Sequence, residues 1–245
     1  MLIDTHCHLD DYENIEDIIN FDGIMITAGC DDESNLKVIE LVNKYDNVYG
    51  TLGIHPESID KITEDSFNII INNLSNPKIV GIGEIGLDYH YTDKNKELQH
   101  EVFKKQLDIA SKYSMPIVVH SRDSISDAYN ILSQYNLRGS IHCFSSSLEM
   151  AQKFIKLGYK IGVGGVVTFK NGKKIQNIVE NISLNDILLE TDSPYLTPEP
   201  YRGKCNEPRN VLYVAEKIKS IKNVSLAEVI SITSSNAIDE FDLNI

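Results

Sequence analysis

Short runs of Val, Ile, Leu and Tyr alternate along the chain with longer segments whose apolar residues recur at helical spacing. Eight runs read as strands: Leu2–Leu9, Gly23–Gly29, Val48–His55, Ile79–Leu87, Pro116–Ser121, Ser140–Ser145, Lys160–Phe169 and Ile187–Tyr195. The clearest helical pattern between them puts Phe103, Leu107, Ala110 and Ser114 on one amphipathic stripe. Strand and helix in strict alternation is the mark of βαβ units and a parallel sheet. Eight strands with their crossovers predict an α/β fold, a closed (β/α)8 TIM barrel forming one domain over residues 1–245. The rival, an open doubly wound sheet, usually carries a glycine-rich phosphate turn after its first strand, and here His6-Cys7-His8 takes that place.

Composition changes this picture little and charge changes it more. The 42% hydrophobic and 24% charged content is ordinary for a globular protein, but the formal net charge of −13 argues against a broad basic surface for nucleic acid. A small local cationic site stays compatible with that charge, and part of the acidity is expected to be metal-binding carboxylate. Cys7, Cys30, Cys143 and Cys205 form no CxxC pair and read as reduced, mostly buried thiols, with Cys7 and Cys143 turned into the helix layer. The first residues lack a leader's basic and apolar regions, and no apolar stretch is long enough to span a bilayer, so the expected location is the cytoplasm, away from membranes.

Candidate chemistry lies at the strand ends. Residues two apart in a strand point to one side, so His6 and His8 share a face while Ile3, Thr5 and Cys7 take the other. Glu84, His120, His142 and Asp192 each fall near the C-terminal end of a strand, the face on which barrel enzymes build their sites. Burying such groups together without a cation is costly. Nitrogen and carboxylate donors without thiolate suit Zn, Mn, Fe or Co and admit Mg. The six ligands divide as His6, His8 and Asp192 on one divalent ion and His120 and His142 on a second, with Glu84 bridging.

The strings DTHCHLD (4–10), GIHPE (53–57), GEIGLDYH (83–90), PIVVHSRD (116–123), IHCFS (141–145), LLETDSPYL (188–196) and RGKCNEP (202–208) resemble, in order and spacing, the TatD-type metal-dependent hydrolases of the amidohydrolase-like superfamily. The resemblance runs from residue 2 to about residue 240 and implies the same metal ligands. It also implies deoxyribonuclease activity, a 3′–5′ exonuclease-like hydrolysis of phosphodiester bonds in single-stranded DNA by two-metal activation of water. In that scheme Glu84 bridges the ions and Asp192 accepts the proton of the attacking water. Cys205 departs from the family pattern, which more often has a basic residue there.

Around the ligands, the resemblance makes His55 a phosphate contact or the ligand of a third ion. Arg122 is placed to hold a phosphate or to pair with Asp123, and Tyr89 to offer a stacking face or to pack locally. Arg202, Lys204 and Glu207 lie on the loop after the last strand, which often lines phosphate sites in barrels. Asp4 and Glu190, each two residues before a ligand, are expected to orient imidazoles. His90 is within reach of substrate, and His100 is expected in solvent. DNA is the expected partner, with no obligate protein partner.

Three other readings compete. Amidohydrolase-like barrels often carry a carboxylated lysine on strand four, where this chain has Glu84, with Lys78 and Lys94 outside the strand end. Removal of D-amino acids from tRNA, an ester hydrolysis, would use the same metal site. A non-catalytic barrel stabilised by metal is the third reading.

Overall fold

The computed structural model describes residues 1–90 and 95–245. Its strands are β1 (Leu2–Cys7), β2 (Gly23–Ala28), β3 (Val48–Leu52), β4 (Ile79–Asp88), β5 (Ile117–Arg122), β6 (Gly139–Ile141), β7 (Tyr159–Val163) and β8 (Ile187–Leu189). They pair in sequence order, every pair parallel, from β1 to β8. The helices are α1 (Glu16–Ile19), α2 (Asp32–Lys44), α3 (Glu64–Asn73), α4 (Lys96–Tyr113), α5 (Ile125–Leu132), α6 (Leu148–Lys156), α7 (Lys173–Asn181), α8 (Val211–Lys222) and α9 (Leu226–Phe241). The result is the expected (β/α)8 barrel, nearly closed.

Closure between β1 and β8 is made at their C-terminal ends. Thr5 Oγ1 donates to the Leu189 carbonyl (2.9 Å), the Asp192 N–H to the His6 carbonyl (3.0 Å) and the His8 N–H to the Ser193 carbonyl (2.7 Å). The seam therefore runs through three of the candidate ligands. Lys94 lies outside the described residues, and Lys78 Nζ donates to the Tyr45 carbonyl (2.7 Å), away from the mouth.

Several strands stop earlier than their apolar runs. β6 ends at Ile141 and β8 at Leu189, so His142 and Asp192 stand on the turns beyond them. β7 gives way to a 3-10 turn at Gly165–Thr168, and β1 stops at Cys7, before His8. In α4 the apolar stripe ends at Ala110, because Ser114 caps the helix at φ 57°. Apolar residues continue past each strand because those loops are themselves buried, which a hydrophobicity pattern cannot distinguish from a strand.

The core has two parts. One lies between barrel and helices, including Met25, Ile82, Val119, Ile161 and Leu189 with Leu107, Phe154 and Val214. The other joins Ile3, Ile24, Ile26, Val80, Val118 and Leu188 to Phe241 and Leu243 around α9. Ile3 therefore packs with its register partner Ile24, whereas Met25, partner of Asp4, belongs to the outer layer. The register shifts between Asp4 and Cys7, and this breaks the simple alternation that put Asp4 beside His6. Among the described residues, no helix is long and apolar enough to cross a membrane.

Candidate active site

Backbone conformation at the strand ends turns the side chains inward. Cys143 and Asp192 adopt left-handed φ values of 43° and 57°, which non-glycine residues seldom occupy, and both lie directly on the site. Behind them, Gly53 packs so tightly on β4 that a Cβ would sit 2.6 Å from the Gly83 carbonyl carbon and 2.9 Å from the Glu84 nitrogen. Only glycine lets the end of β3 press against the backbone that carries Glu84.

His6, His8, Glu84 and Asp192 form a compact set of donors. His6 Nε2 is 3.3 Å from His8 Nε2, 3.3 Å from Glu84 Oε2 and 3.8 Å from Asp192 Oδ1. His8 Nε2 is 3.6 Å from Glu84 Oε2 and 3.5 Å from Asp192 Oδ1. A tetrahedron with metal bonds of about 2.0–2.1 Å has edges of about 3.3–3.4 Å, so these spacings suit one divalent cation.

The other Glu84 oxygen faces different partners. Oε1 is 2.8 Å from His120 Nδ1, 3.7 Å from His55 Nε2 and 3.8 Å from His142 Nε2. His142 is not paired simply with His120, from which its ring centroid is 6.4 Å. It stacks on His6 at 3.7 Å, with its Nε2 3.6 Å from Asp192 Oδ1. The closer neighbour of His120 is His55, at 4.4 Å.

Asp88 and Glu190 stand behind these rings. Asp88 Oδ2 is 2.9 Å from His120 Nε2, while Glu190 Oε1 lies 3.2 Å from His142 Nδ1 and accepts from the Cys143 N–H at 2.6 Å. Asp4 does not orient an imidazole. Its carboxylate accepts from the Thr191 N–H (2.9 Å), the Thr191 hydroxyl (2.6 Å) and the His6 N–H (3.3 Å), fastening β1 to the segment after β8, and burial raises its pKa well above the carboxylate range.

Burial favours neutral imidazole, and it lowers His6 and takes His55 to about 4. At His120 the effect of burial is outweighed by Asp88 and Glu84, which hold the ring at about 9. At His142 burial is outweighed by Glu190, Glu84 and Asp192, which hold it at about 10. His8 is likewise raised, against burial, by Cys30 and Asp192. Burial works against ionised Glu84 and Asp192 too, but His142 and its neighbours keep both below the usual range. Protons on imidazoles thus balance clustered carboxylates here, and a bound cation would serve the same electrostatic purpose. Donor type, spacing and charge all fit divalent metal.

A cavity of about 1160 Å³ opens over this cluster. His55 and Arg122 line it, as does Tyr195, whose Oη donates to Asp11 Oδ2 (2.8 Å). Tyr89, Arg202 and Lys204 lie outside that lining. Tyr89 Oη bonds to His100 Nε2 (2.6 Å) and Asp127 Oδ2 (2.9 Å), and Lys96 Nζ sits 4.2 Å from its ring centroid, so His100 is tied into the protein and not left in solvent. His90 and Asp123 pair at the surface, Nδ1 to Oδ2 at 3.1 Å.

The cysteines differ most from expectation. Only Cys7 is fully buried; Cys30 and Cys143 are partly buried and Cys205 is exposed. Cys143 is not turned into the helix layer, because its left-handed φ swings Sγ to within 4.8 Å of donor atoms of His142 and Asp192. Cys30 Sγ lies 3.9 Å from both His8 Nδ1 and Glu84 Oε2, a placement that no strand periodicity could indicate. Asp88 was also missed, although it lies four residues after Glu84 on β4 in the GEIGLDYH string.

Imidazoles and carboxylates brought to these spacings at the C-terminal mouth of a parallel barrel define the class: a hydrolase that works through divalent metal. The model of the TatD-related DNase family matches residues 3–242. Similarity to an uncharacterized metal-dependent hydrolase of Bacillus subtilis, YabD, is 37% identity over 255 residues, covering both chains completely. The crystal structure of the TatD homologue YjjV from Escherichia coli superposes with a TM-score of 0.93 at 29% identity, covering 99% of this chain and 98% of that one. A TatD-family hydrolase from Entamoeba histolytica superposes at 0.85 with 26% identity, covering 98% and 97%. This chain belongs to the TatD-related DNase family of metal-dependent hydrolases.

Proposed function

We propose that the protein is a divalent-metal-dependent deoxyribonuclease that cleaves phosphodiester bonds in single-stranded DNA, working from 3′ ends. The observation that carries this is the split of Glu84, whose Oε2 faces His6 and His8 while its Oε1 faces His120, His142 and His55. Such a carboxylate suits a pair of cations. His6, His8 and Asp192 would hold one ion and His120 and His142 the other, with Glu84 shared and His55 adjoining the second. Bound divalent ions supply Lewis acidity toward a phosphoryl oxygen and a lowered pKa for water. Asp192 stays ionised at the cavity wall and takes the proton released in the attack. Arg122 offsets charge on non-bridging oxygens, while Asp88 and Glu190 hold the His120 and His142 rings in place.

The test is metal-dependent cleavage. Protein stripped with EDTA and re-loaded with Zn, Mn, Mg or Co is assayed on single-stranded DNA, duplex DNA and a generic phosphodiester. Restored cleavage with single strands preferred is expected; no metal-dependent cleavage of any of the three overturns the proposal. One observation favours a second reading: Asp10, Asp11, Asp31, Glu33 and Glu57 line one wall of the cavity. That wall suits a cationic group, such as the ammonium of a D-aminoacyl ester on tRNA, which the same site could hydrolyse.

A further inference from the structure

The charge of the mouth is divided. In contrast to the acidic residues after β1, β2 and β3, the segment after β7 and the loop after β8 carry Lys170, Lys173, Lys174, Arg202 and Lys204, all exposed. No Asp or Glu occurs at positions 164–178 or 200–206. Among the described residues none of these five cations pairs with a carboxylate, although Glu199 and Glu207 flank the second segment. Arg202 lies 4.2 Å above the Phe169 ring, joining the two segments into one surface.

A second cavity, of about 150 Å³, opens in the same lobe. Phe144, Val166 and Ile175 supply apolar walls, Ser145 and Asn171 polar groups, and Lys174 a charge. Cys143 also lines it, and its Sγ is within 4.8 Å of donor atoms of His142 and Asp192, so this cavity adjoins the metal cluster. Beside it α7 begins at Lys173, and its N-cap Gly172 offers no side chain to cap the first turn. Backbone N–H groups there add to the positive field of Lys173 and Lys174.

We propose that this lobe is the track for a nucleic-acid single strand, with one unstacked base in the small cavity and adjoining phosphates on Lys170, Lys173 and Lys174. The proposal rests on the phosphodiester reading above and names the surface that brings the substrate in. A base must be unpaired to enter an apolar cavity of this size, so the lobe selects single strands over duplex. The acidic residues after β1, β2 and β3 repel the same backbone, which favours approach over the β7 and β8 segments.

The test measures binding of a labelled, nuclease-resistant phosphorothioate oligo-dT to metal-loaded protein by fluorescence anisotropy across a salt series. Reversing all three lysines (K170E, K173E and K174E together) is expected to weaken binding roughly tenfold or more. Loss of three single-strand phosphate contacts should also flatten the slope of log K against log salt by about 2. A matched reversal at the remote, exposed Lys44, Lys104 and Lys112 should leave both unchanged. In wild type, a strand with an abasic site at its 3′ end should bind more weakly than the intact one, and Val166→Phe, which fills the cavity, should remove that difference. Equal losses in the two triple variants, or equal binding of intact and abasic strands by wild type, would overturn the proposal. Thermal melts show that each variant is folded. Failure of wild type to hydrolyse a small phosphodiester would instead strike the functional reading, since strand binding is scored without turnover.

Discussion

Asp192 meets His6 twice: its N–H donates to the His6 carbonyl at 3.0 Å, and its Oδ1 stands 3.8 Å from His6 Nε2. One contact closes the barrel and the other builds the donor set, and they use different atoms of the same residue. Asp192→Asn keeps the backbone bond and removes the anionic oxygen. Metal-stimulated phosphodiester cleavage is expected to fall by about 10²-fold or more, with bound metal reduced and the unfolding transition of metal-free protein unchanged. Near wild-type turnover in the purified variant would dismiss Asp192 as proton acceptor.

Cys30 sits on the far side of His8. For His8 Nε2 to face the cluster with a free lone pair, the proton must be on Nδ1, whose neighbour is Cys30 Sγ at 3.9 Å; the thiol in turn is 3.9 Å from Glu84 Oε2. Burial pushes this thiol up to about 12, so it serves as a neutral hydrogen-bonding group. Cys30→Ala should weaken metal binding by about tenfold, measured by competition with a chromophoric chelator, and Cys30→Ser should recover part of the loss. Identical affinities in wild type and the Ala variant would mean the His8 ring is oriented by other contacts.

These two residues mark what was legible in the sequence. His6, His8, Glu84, His120, His142 and Asp192 could be read because parallel strands in a barrel all deliver their C-terminal ends to one face, so position along each apolar run sufficed. Strand alternation misplaces Asp4 because the β1–β2 register shifts after it. Cys143 was misplaced because its φ of 43° reverses the direction that strand alternation assigns. Cys30 and Asp88 contact the site from neighbouring strands, Asp88 through His120 on β5 and Cys30 through His8 after β1. Asp88 shares the spacing of Glu84 along β4, whereas Cys30 lies beyond the end of β2, where alternation no longer applies. The expectation of a DNA substrate rests on the family motifs, since a net charge of −13 by itself points away from nucleic acid.

Gly86 shows how closely the scaffold is fitted around a candidate ligand. It pairs with His120 in the β4–β5 register at φ +146°, and a Cβ there would lie 2.0 Å from the His120 carbonyl oxygen. Gly86→Ala should cost about 3 kcal/mol or more in urea unfolding, because neither the backbone angle nor the neighbouring strand can yield. Gly203→Ala is the comparison: φ is +87°, but nothing lies within 4 Å, so only the conformational cost of about 1 kcal/mol is expected. Equal losses at the two positions would show that steric contact with β5 contributes nothing.

Glu240, on α9 and remote from the candidate metal site, gives a pH dependence of stability. Its side chain is buried, and Oε1 has no hydrogen-bond partner among the described residues. Burial raises its pKa to about 7, opposed by Arg138 and Lys160 and assisted by Asp242. Because the folded-state value lies above the unfolded one, near 4.3, the folded state binds the proton more tightly. The resulting stability is fully present below the unfolded pKa and is lost as pH rises through about 7. Glu240→Gln keeps the shape and cannot ionise, so its stability relative to wild type should grow from pH 4 to pH 8 by up to about 3 kcal/mol and level off above that. The titrating imidazoles of the candidate metal site are common to both proteins and cancel in the difference between their urea curves. A difference that stays constant across this range would show that the folded protein does not raise the Glu240 pKa.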